Sequence, residues 1–236
     1  VFEIRKAGLN ILMSMKGDKK PVAFIEDCAV SLDHLADYTA RLKEIFKKYN
    51  TSGMFYAHAS VGTLHIRPVL NMKSDEDIKN MKSISQEAFE MVKNYKGSHS
   101  GEHGDGIVRS EFHEMMFGKK IINAFEEIKD TFDKKNLLNP GKIVRPYKSN
   151  DRSLMRYKSG YQANNINTHY DWSNWGQFSD AVEMCNNNGA CRKLDSGVMC
   201  PSYRVTKEEK DLVRGRANTL RLALSNQLPE GSFASK

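Results

Sequence analysis

Three histidines and a glutamate fall into two short stretches of this chain, His58-Ala-Ser-Val-Gly-Thr-Leu-His65 and Gly101-Glu102-His103-Gly104-Asp105-Gly106. Imidazole and carboxylate are donor types that grip a borderline divalent metal, with bonds near ~2.1 Å. The first stretch lies between two apolar-rich runs, Met54 to Ala59 and Leu64 to Leu70, a pattern that predicts a hairpin. With Val61-Gly62 as a two-residue turn, Ala59 pairs with Leu64 and His58 with His65. The two imidazoles then share one face, with β-carbons about 5 Å apart. Glu102 offers a carboxylate to the same ion. His103 sits in a glycine-rich loop where backbone can approach a ligand closely, and is left free to move a proton. The same residues also have a plainer reading, as a half-buried polar pair on a hairpin and a common Glu-His dipeptide. Gly101, Gly104 and Gly106 weigh against it, because each carries an entropy cost that an ordinary loop need not bear.

At these residues the chain resembles the C-terminal cap domain of the FAD-linked oxidases, the family of D-lactate dehydrogenase, D-2-hydroxyglutarate dehydrogenase and the glycolate oxidase flavoprotein subunit. Three motifs carry the resemblance in order: the stretch ending in Gly62-Thr63-Leu64-His65, then Gly101-Glu102-His103-Gly104, then Leu138-Asn139-Pro140-Gly141-Lys142. It covers residues 1–146 and implies that the N-terminal FAD-binding domain lies outside this chain. It further implies His58, His65 and Glu102 as ligands of a divalent metal, usually zinc, and His103 as the base. Asn139 and Lys142 would be the cap's contribution near FAD. Many members carry Gly-Asp-Gly-Asn where this chain has Ser60-Val61-Gly62-Thr63, so the Asp and Asn that could touch substrate there are missing.

The run Leu64-His65-Ile66-Arg67-Pro68 resembles the fused subgroup, in which flavin and iron–sulfur domains share one polypeptide. Cys185, Cys191 and Cys200-Pro201, followed by Arg214-Gly215-Arg216-Ala217-Asn218, resemble the first half of its ferredoxin-type region. The Cys before Pro commonly ligates the other cluster in two-cluster ferredoxins. Three thiolates leave a [4Fe–4S] cluster incomplete, with the missing ligands expected beyond Lys236. Without that resemblance the three are simply reduced thiols. Cys28, at the end of Val22-Ala-Phe-Ile-Glu-Asp-Cys28, reads as a small core residue.

The activity implied is FAD-dependent oxidation of a D-2-hydroxy acid of the D-2-hydroxyglutarate, D-lactate or glycolate class, with electrons passing to iron–sulfur clusters and an external acceptor or partner. A metal would polarise the hydroxyl and hold the carboxylate, and His103 would take the hydroxyl proton. A carboxylate substrate also needs a cation. Arg67, two residues after His65 and so on the same strand face, and Arg109, just past the glycine loop, are the candidates. No Gly-x-Gly-x-x-Gly opens a helix, so little flavin binding is expected of this chain alone. Two other classes compete: an interaction module whose basic tail helix docks an electron-transfer partner, and a zinc hydrolase with a water on His58, His65 and Glu102. The hydrolase leaves the Pro140-Gly141-Lys142 turn and the cysteines unexplained.

A chain of 236 residues, 39% hydrophobic and 28% charged, is large enough to bury a core in one or two domains. The net charge of +7 raises nucleic acid as a partner, but the lysines are interleaved with acids, as in Lys43-Glu44 and Lys207-Glu-Glu-Lys210, without a basic–aromatic stripe. No apolar run is long enough for a membrane span. Four unevenly spaced cysteines do not make a secreted disulfide framework. Iron–sulfur thiolates fit a reducing cytoplasm, or the inner face of a membrane as a peripheral protein. The chain starts without Met inside an amphipathic segment, Val1 to Met15, and is expected to be a piece of a longer protein.

The elements that must position these groups follow from periodicity. Pro21 to Glu26 predicts a short buried strand. Ser31 caps a helix carried by Leu32, Leu35, Tyr38, Leu42, Ile45, Phe46 and Tyr49. After the hairpin, Ser74 caps a second helix from Ile78 to Tyr95, which Gly97 is placed to end. A helix over 119–133 and a turn at Asn139-Pro140-Gly141 follow. This order predicts an α+β fold, an antiparallel sheet covered by helices on one face. Residues 147–176 show no period and read as a linker to a partial iron–sulfur region, 177–236, mostly helical or irregular. There Thr206-x-x-Glu209 reads as a capping box opening a basic helix that runs through Leu224.

Overall fold

A computed structural model describes residue 8, residues 10–195, residue 197 and residues 199–229. They divide into two compact units, one of residues 18–159 and one of residues 160–229 with the described residues up to Gly17.

The larger unit is built around one long strand. β1 (Lys19–Pro21), β2 (Cys28–Ala29) and β3 (Gly53–His58) all pair antiparallel with β4 (Thr63–Asn71). Leu64 of β4 faces Cys28 on one side and Ala57 on the other. Strand alternation then sorts the chemistry. Leu64, Ile66 and Leu70 point into the core, whereas His65 and Arg67 point to the opposite face, opposed by Tyr56 and Met54.

Two amphipathic helices cover the core face. α1 (Leu35–Lys48) buries Tyr38, Leu42 and Phe46; α2 (Asp75–Asn94) buries a stripe from Ile78 to Val92 that joins the same cluster as Phe24 and Ile25. The Ser74 side chain accepts from the Asp77 amide, as the sequence predicts. Ser31 does not cap: its side chain makes no such bond, and the chain enters α1 through a single turn of 3₁₀ helix, Leu32–His34. The end of α2 also differs from expectation. Lys96, at φ 54°, is the left-handed residue, and the Gly97 amide donates to Val92 O. Gly97 is required for another reason: a β-carbon there would lie 2.3 Å from the Ala29 carbonyl oxygen.

The strand predicted over Pro21 to Glu26 is replaced by two short ladders joined by a buried crossing. Asp27, at φ 64°, turns the chain before β2 begins. Two short helices that the sequence pattern did not reveal, α3 (Ile107–Ser110) and α4 (His113–Phe117), precede α5 (Lys119–Phe132). The unit continues past residue 146: Ser149 donates through its amide and hydroxyl to Glu111, and Arg152 pairs with Asp75 at 2.6 Å.

The smaller unit holds α6 (Phe178–Glu183), α7 (Pro201–Thr206) and α8 (Val213–Leu224). The predicted capping box at Thr206 is not formed. Thr206 ends α7, Lys207 takes φ 60°, and the helix restarts only at Val213. Glu209 is occupied instead by Arg214, whose Nε lies 2.6 Å from its carboxylate. Cys191 and Cys200 are buried with Leu212, against Tyr203.

Candidate active site

On the face of the sheet opposite the core, β3 and β4 bring His58 and His65 together, but not in the predicted register. His58 pairs with Thr63, and His65 with Tyr56. The connection is therefore four residues, a turn of 3₁₀ helix over Ala59–Val61 closed by Gly62 at φ 73°. A β-carbon on Gly62 would lie 1.9 Å from Val30 O, and the Val30 amide donates to Gly62 O, so Val30, just past β2, rather than local turn chemistry selects the longer loop. The shift is two residues, which preserves the face. His58 and His65 meet as a diagonal pair, ring centroids 5.1 Å apart.

Glu102 reaches this pair from residues far along the chain. Its Oε1 lies 2.9 Å from His65 Nε2 and 3.5 Å from His58 Nε2. Bonds of ~2.1 Å to a tetrahedral ion give donor separations of about 3.4 Å, so the arrangement fits a divalent metal. His65 is 3% exposed, and burial pushes its imidazole below the ordinary value against the pull of Glu26 and Glu102. That favours the neutral form, the one that ligates. His103 stacks on His65 at 5.1 Å, with its side chain 44% exposed. A substrate can reach it.

Two buried acids hold the arrangement, and the sequence reading did not assign either. Glu26 accepts from the Tyr56 hydroxyl at 2.9 Å and from Arg67 Nη2, and faces His65 Nδ1 at 3.5 Å while Tyr56 stacks on the His65 ring. Asp27 gathers the loop: its Oδ2 accepts the amides of Glu102 at 2.9 Å and His103 at 2.7 Å, and its carbonyl accepts that of Gly101. Gly101 must lack a side chain, since a β-carbon would lie 2.8 Å from Asp27 O. The sequence signal was available: two acids closing the apolar run from Val22 to Ile25 had to be buried with partners.

The two arginines differ. Arg67 lies on the His65 face, with its hydrogen bonds to Glu26 running through one terminal nitrogen. Arg109 is buried and uses both, Nη1 on Asp27 and the Glu26 carbonyl, Nη2 on the Gly104 carbonyl. In this position Arg109 braces the loop from behind. Asn139, at φ 48°, and Lys142 share one turn, with Lys142 Nζ 3.4 Å from Asn139 Oδ1. Among the described residues, the places where three donor atoms converge do not include Cys185, Cys191 or Cys200.

The family described as FAD linked oxidases, C-terminal domain, matches residues 1–143. The chain belongs to this family. The D-2-hydroxyglutarate dehydrogenase of Pseudomonas putida is 35% identical over 94% of this chain and 22% of its own length. That of Escherichia coli is 32% identical over 99% of the chain and 24% of its own length. The glycolate oxidase subunit GlcD of Bacillus subtilis is 30% identical but matches only 60% of the chain, 29% of its own length. This FAD linked oxidase chain thus spans about a quarter of the length of the curated relatives it matches, and its similarity to the two D-2-hydroxyglutarate dehydrogenases extends through the cysteine-bearing unit.

Proposed function

We propose that this chain is the substrate-side part of an FAD-dependent dehydrogenase of D-2-hydroxy acids, with D-2-hydroxyglutarate the favoured member of the class. The observation that carries the reading is the convergence of His58, His65 and Glu102 beside an accessible His103, within a chain of this family. The relatives that match across nearly the whole chain support the choice of substrate.

When bound, a divalent metal on His58, His65 and Glu102 supplies polarisation of the substrate hydroxyl, and the flavin supplies the acceptor for the α-hydride. The chain's own part is acid–base and positional. His103 Nε2 takes the hydroxyl proton as the C–H electron pair departs, so the alcohol becomes the 2-oxo acid. Stacking on His65 fixes the plane of the base. Arg67 is the cation proposed for a substrate carboxylate, using the nitrogen not engaged by Glu26. Asn139 and Lys142 are proposed to lie near the flavin. Cys185, Cys191 and Cys200 are proposed as iron–sulfur ligands that carry electrons onward, with the rest of the ligand set in the longer polypeptide. A reducing cytoplasm, or peripheral attachment at the inner face of a membrane, suits such thiolates; among the described residues no helix is long and apolar enough to cross a membrane.

Anaerobic stopped-flow mixing of the flavin-containing full-length protein with D-2-hydroxyglutarate, D-lactate and glycolate tests the reading. Rapid flavin bleaching is expected, fastest with D-2-hydroxyglutarate and abolished by metal removal. No bleaching with any of the three rejects it.

A further inference from the structure

Behind the Gly101–Gly106 loop lies another group of donors that the proposed reaction does not use. His99 precedes the loop, Asp105 lies near its end and His113 opens α4. One donor atom from each falls within 4.8 Å of the other two. His99 is 1% exposed and His113 is 3% exposed.

Hydrogen-bond roles make this cluster unusual. His113 Nδ1 lies 3.2 Å from the Ile143 carbonyl oxygen, which can only accept, so the ring proton belongs on Nδ1. In the neutral ring Nε2 then carries a lone pair, yet it sits 2.7 Å from Asp105 Oδ2, another acceptor. Two acceptors hold that distance only with a proton or a metal cation shared between them.

His99 separates the two possibilities. Neither of its ring nitrogens has a hydrogen-bond partner, although Nε2 stands 3.6 Å from Asp105 Oδ1. Both nitrogens of this ring are thus buried without a partner, one of them facing the Asp105–His113 pair. A proton shared by His113 and Asp105 leaves the His99 ring unmatched in an apolar surround, where Phe89 and Phe117 pack against it at 5.3 and 5.6 Å. A divalent cation would engage one donor atom of each of the three groups. Arg109 is the nearest opposing charge, with Nε 3.3 Å from Asp105 Oδ1, but its guanidinium is met at 2.5 Å by Asp27.

We propose that His99, Asp105 and His113 form a second, buried divalent-metal site of two imidazoles and one carboxylate, suited to a zinc-like ion. Such an ion ties the far end of the Glu102-His103 loop to α4 and to the segment that enters the loop. It is structural support for the candidate active site, separate from the His58 site.

Metal stoichiometry tests this directly. Tag-free protein is stripped with chelator, reloaded with Zn²⁺ or Co²⁺, passed through gel filtration and analysed for bound metal, with Co²⁺ visible absorption as a second readout. Two equivalents per chain are expected, falling to one in His65→Ala, one in Asp105→Asn and none in the double variant. His113→Gln and His99→Asn serve as further polar replacements, with circular dichroism confirming that each variant analysed is folded. The proposal is overturned if folded Asp105→Asn and His113→Gln bind as much metal as the parent, or if His65→Ala alone removes all of it. If the parent binds one equivalent that survives His65→Ala but not Asp105→Asn, the buried site stands and the reading of the His58 site fails.

Discussion

Replacing Asp27 by Asn probes the brace beneath the candidate active site. Asp27 is fully buried and accepts from the amides of Glu102 and His103, from the Ser100 hydroxyl at 3.4 Å and from Arg109 at 2.5 Å. Asn keeps the size and tolerates the observed φ of 64°, so the substitution removes charge and one acceptor without straining the backbone. Its single oxygen can face the loop amides or Arg109, not both. Facing Arg109, it leaves two amides opposed by an NH₂ group, at about 1.5–3 kcal/mol for each hydrogen bond to a charged group lost. Facing the amides, it leaves a buried guanidinium without its partner, at about 3–5 kcal/mol. Either orientation destabilises the protein by about 3–6 kcal/mol, a large share of a typical total of about 5–15 kcal/mol. Urea unfolding followed by circular dichroism reads the loss as a lower midpoint at unchanged slope. Metal affinity at the His58 site should fall by about 10–100-fold as well, since the loop that carries Glu102 loses either its amide anchor or its Arg109 brace. A loss of stability below about 1 kcal/mol would refute the account of Asp27 as the loop's anchor.

Other substitutions address other links. In the full-length enzyme His103→Ala should lower turnover by about 10²–10⁴-fold while metal content stays unchanged, whereas His65→Ala should lose metal and activity together; steady-state kinetics with metal analysis separates the roles. Burial raises the Glu111 carboxyl, but Lys82, the Ser149 amide and hydroxyl, and Lys148 outweigh it and hold the group down at about 2 against an ordinary 4.5. Its stabilising contribution is present above 4.5 and is lost as pH falls through about 2. Acid titrations should therefore show Glu111→Gln less stable near neutrality, the gap to the parent closing as the acid end of that window is reached. Gly62→Ala should destabilise the protein by more than ~1 kcal/mol, because φ 73° and the Val30 carbonyl both exclude a methyl group; a neutral thermal midpoint would contradict the observed turn.

The helices α1, α2 and α5 were legible because each presents one apolar stripe at helical spacing, and that signal is local. The site was legible in its members but not in its register. A two-residue turn was the simplest reading of Val61-Gly62, and the contact that decides against it comes from Val30, outside the hairpin. Because the resulting shift was even, the face assigned to His58 and His65 survived. The pairing of Asp27 with Arg109 was not legible for a related reason: a buried ion pair joining residues so far apart in sequence leaves no periodic trace. The Thr206-x-x-Glu209 pattern failed because Glu209 had a stronger partner in Arg214.

The candidate site joins two parts of the chain that differ in how easily they open. His65 lies on β4, bonded to neighbours on both edges and backed by the core, so its amide belongs with those that exchange hydrogen only when the whole unit unfolds. Glu102 and His103 hang from one buried side chain on a loop, and a small excursion frees them. An ion held here would leave by losing its carboxylate first, while both imidazoles stay in place. Its residence time would be set by loop opening, so it would be exchanged many times within the lifetime of a single folded molecule.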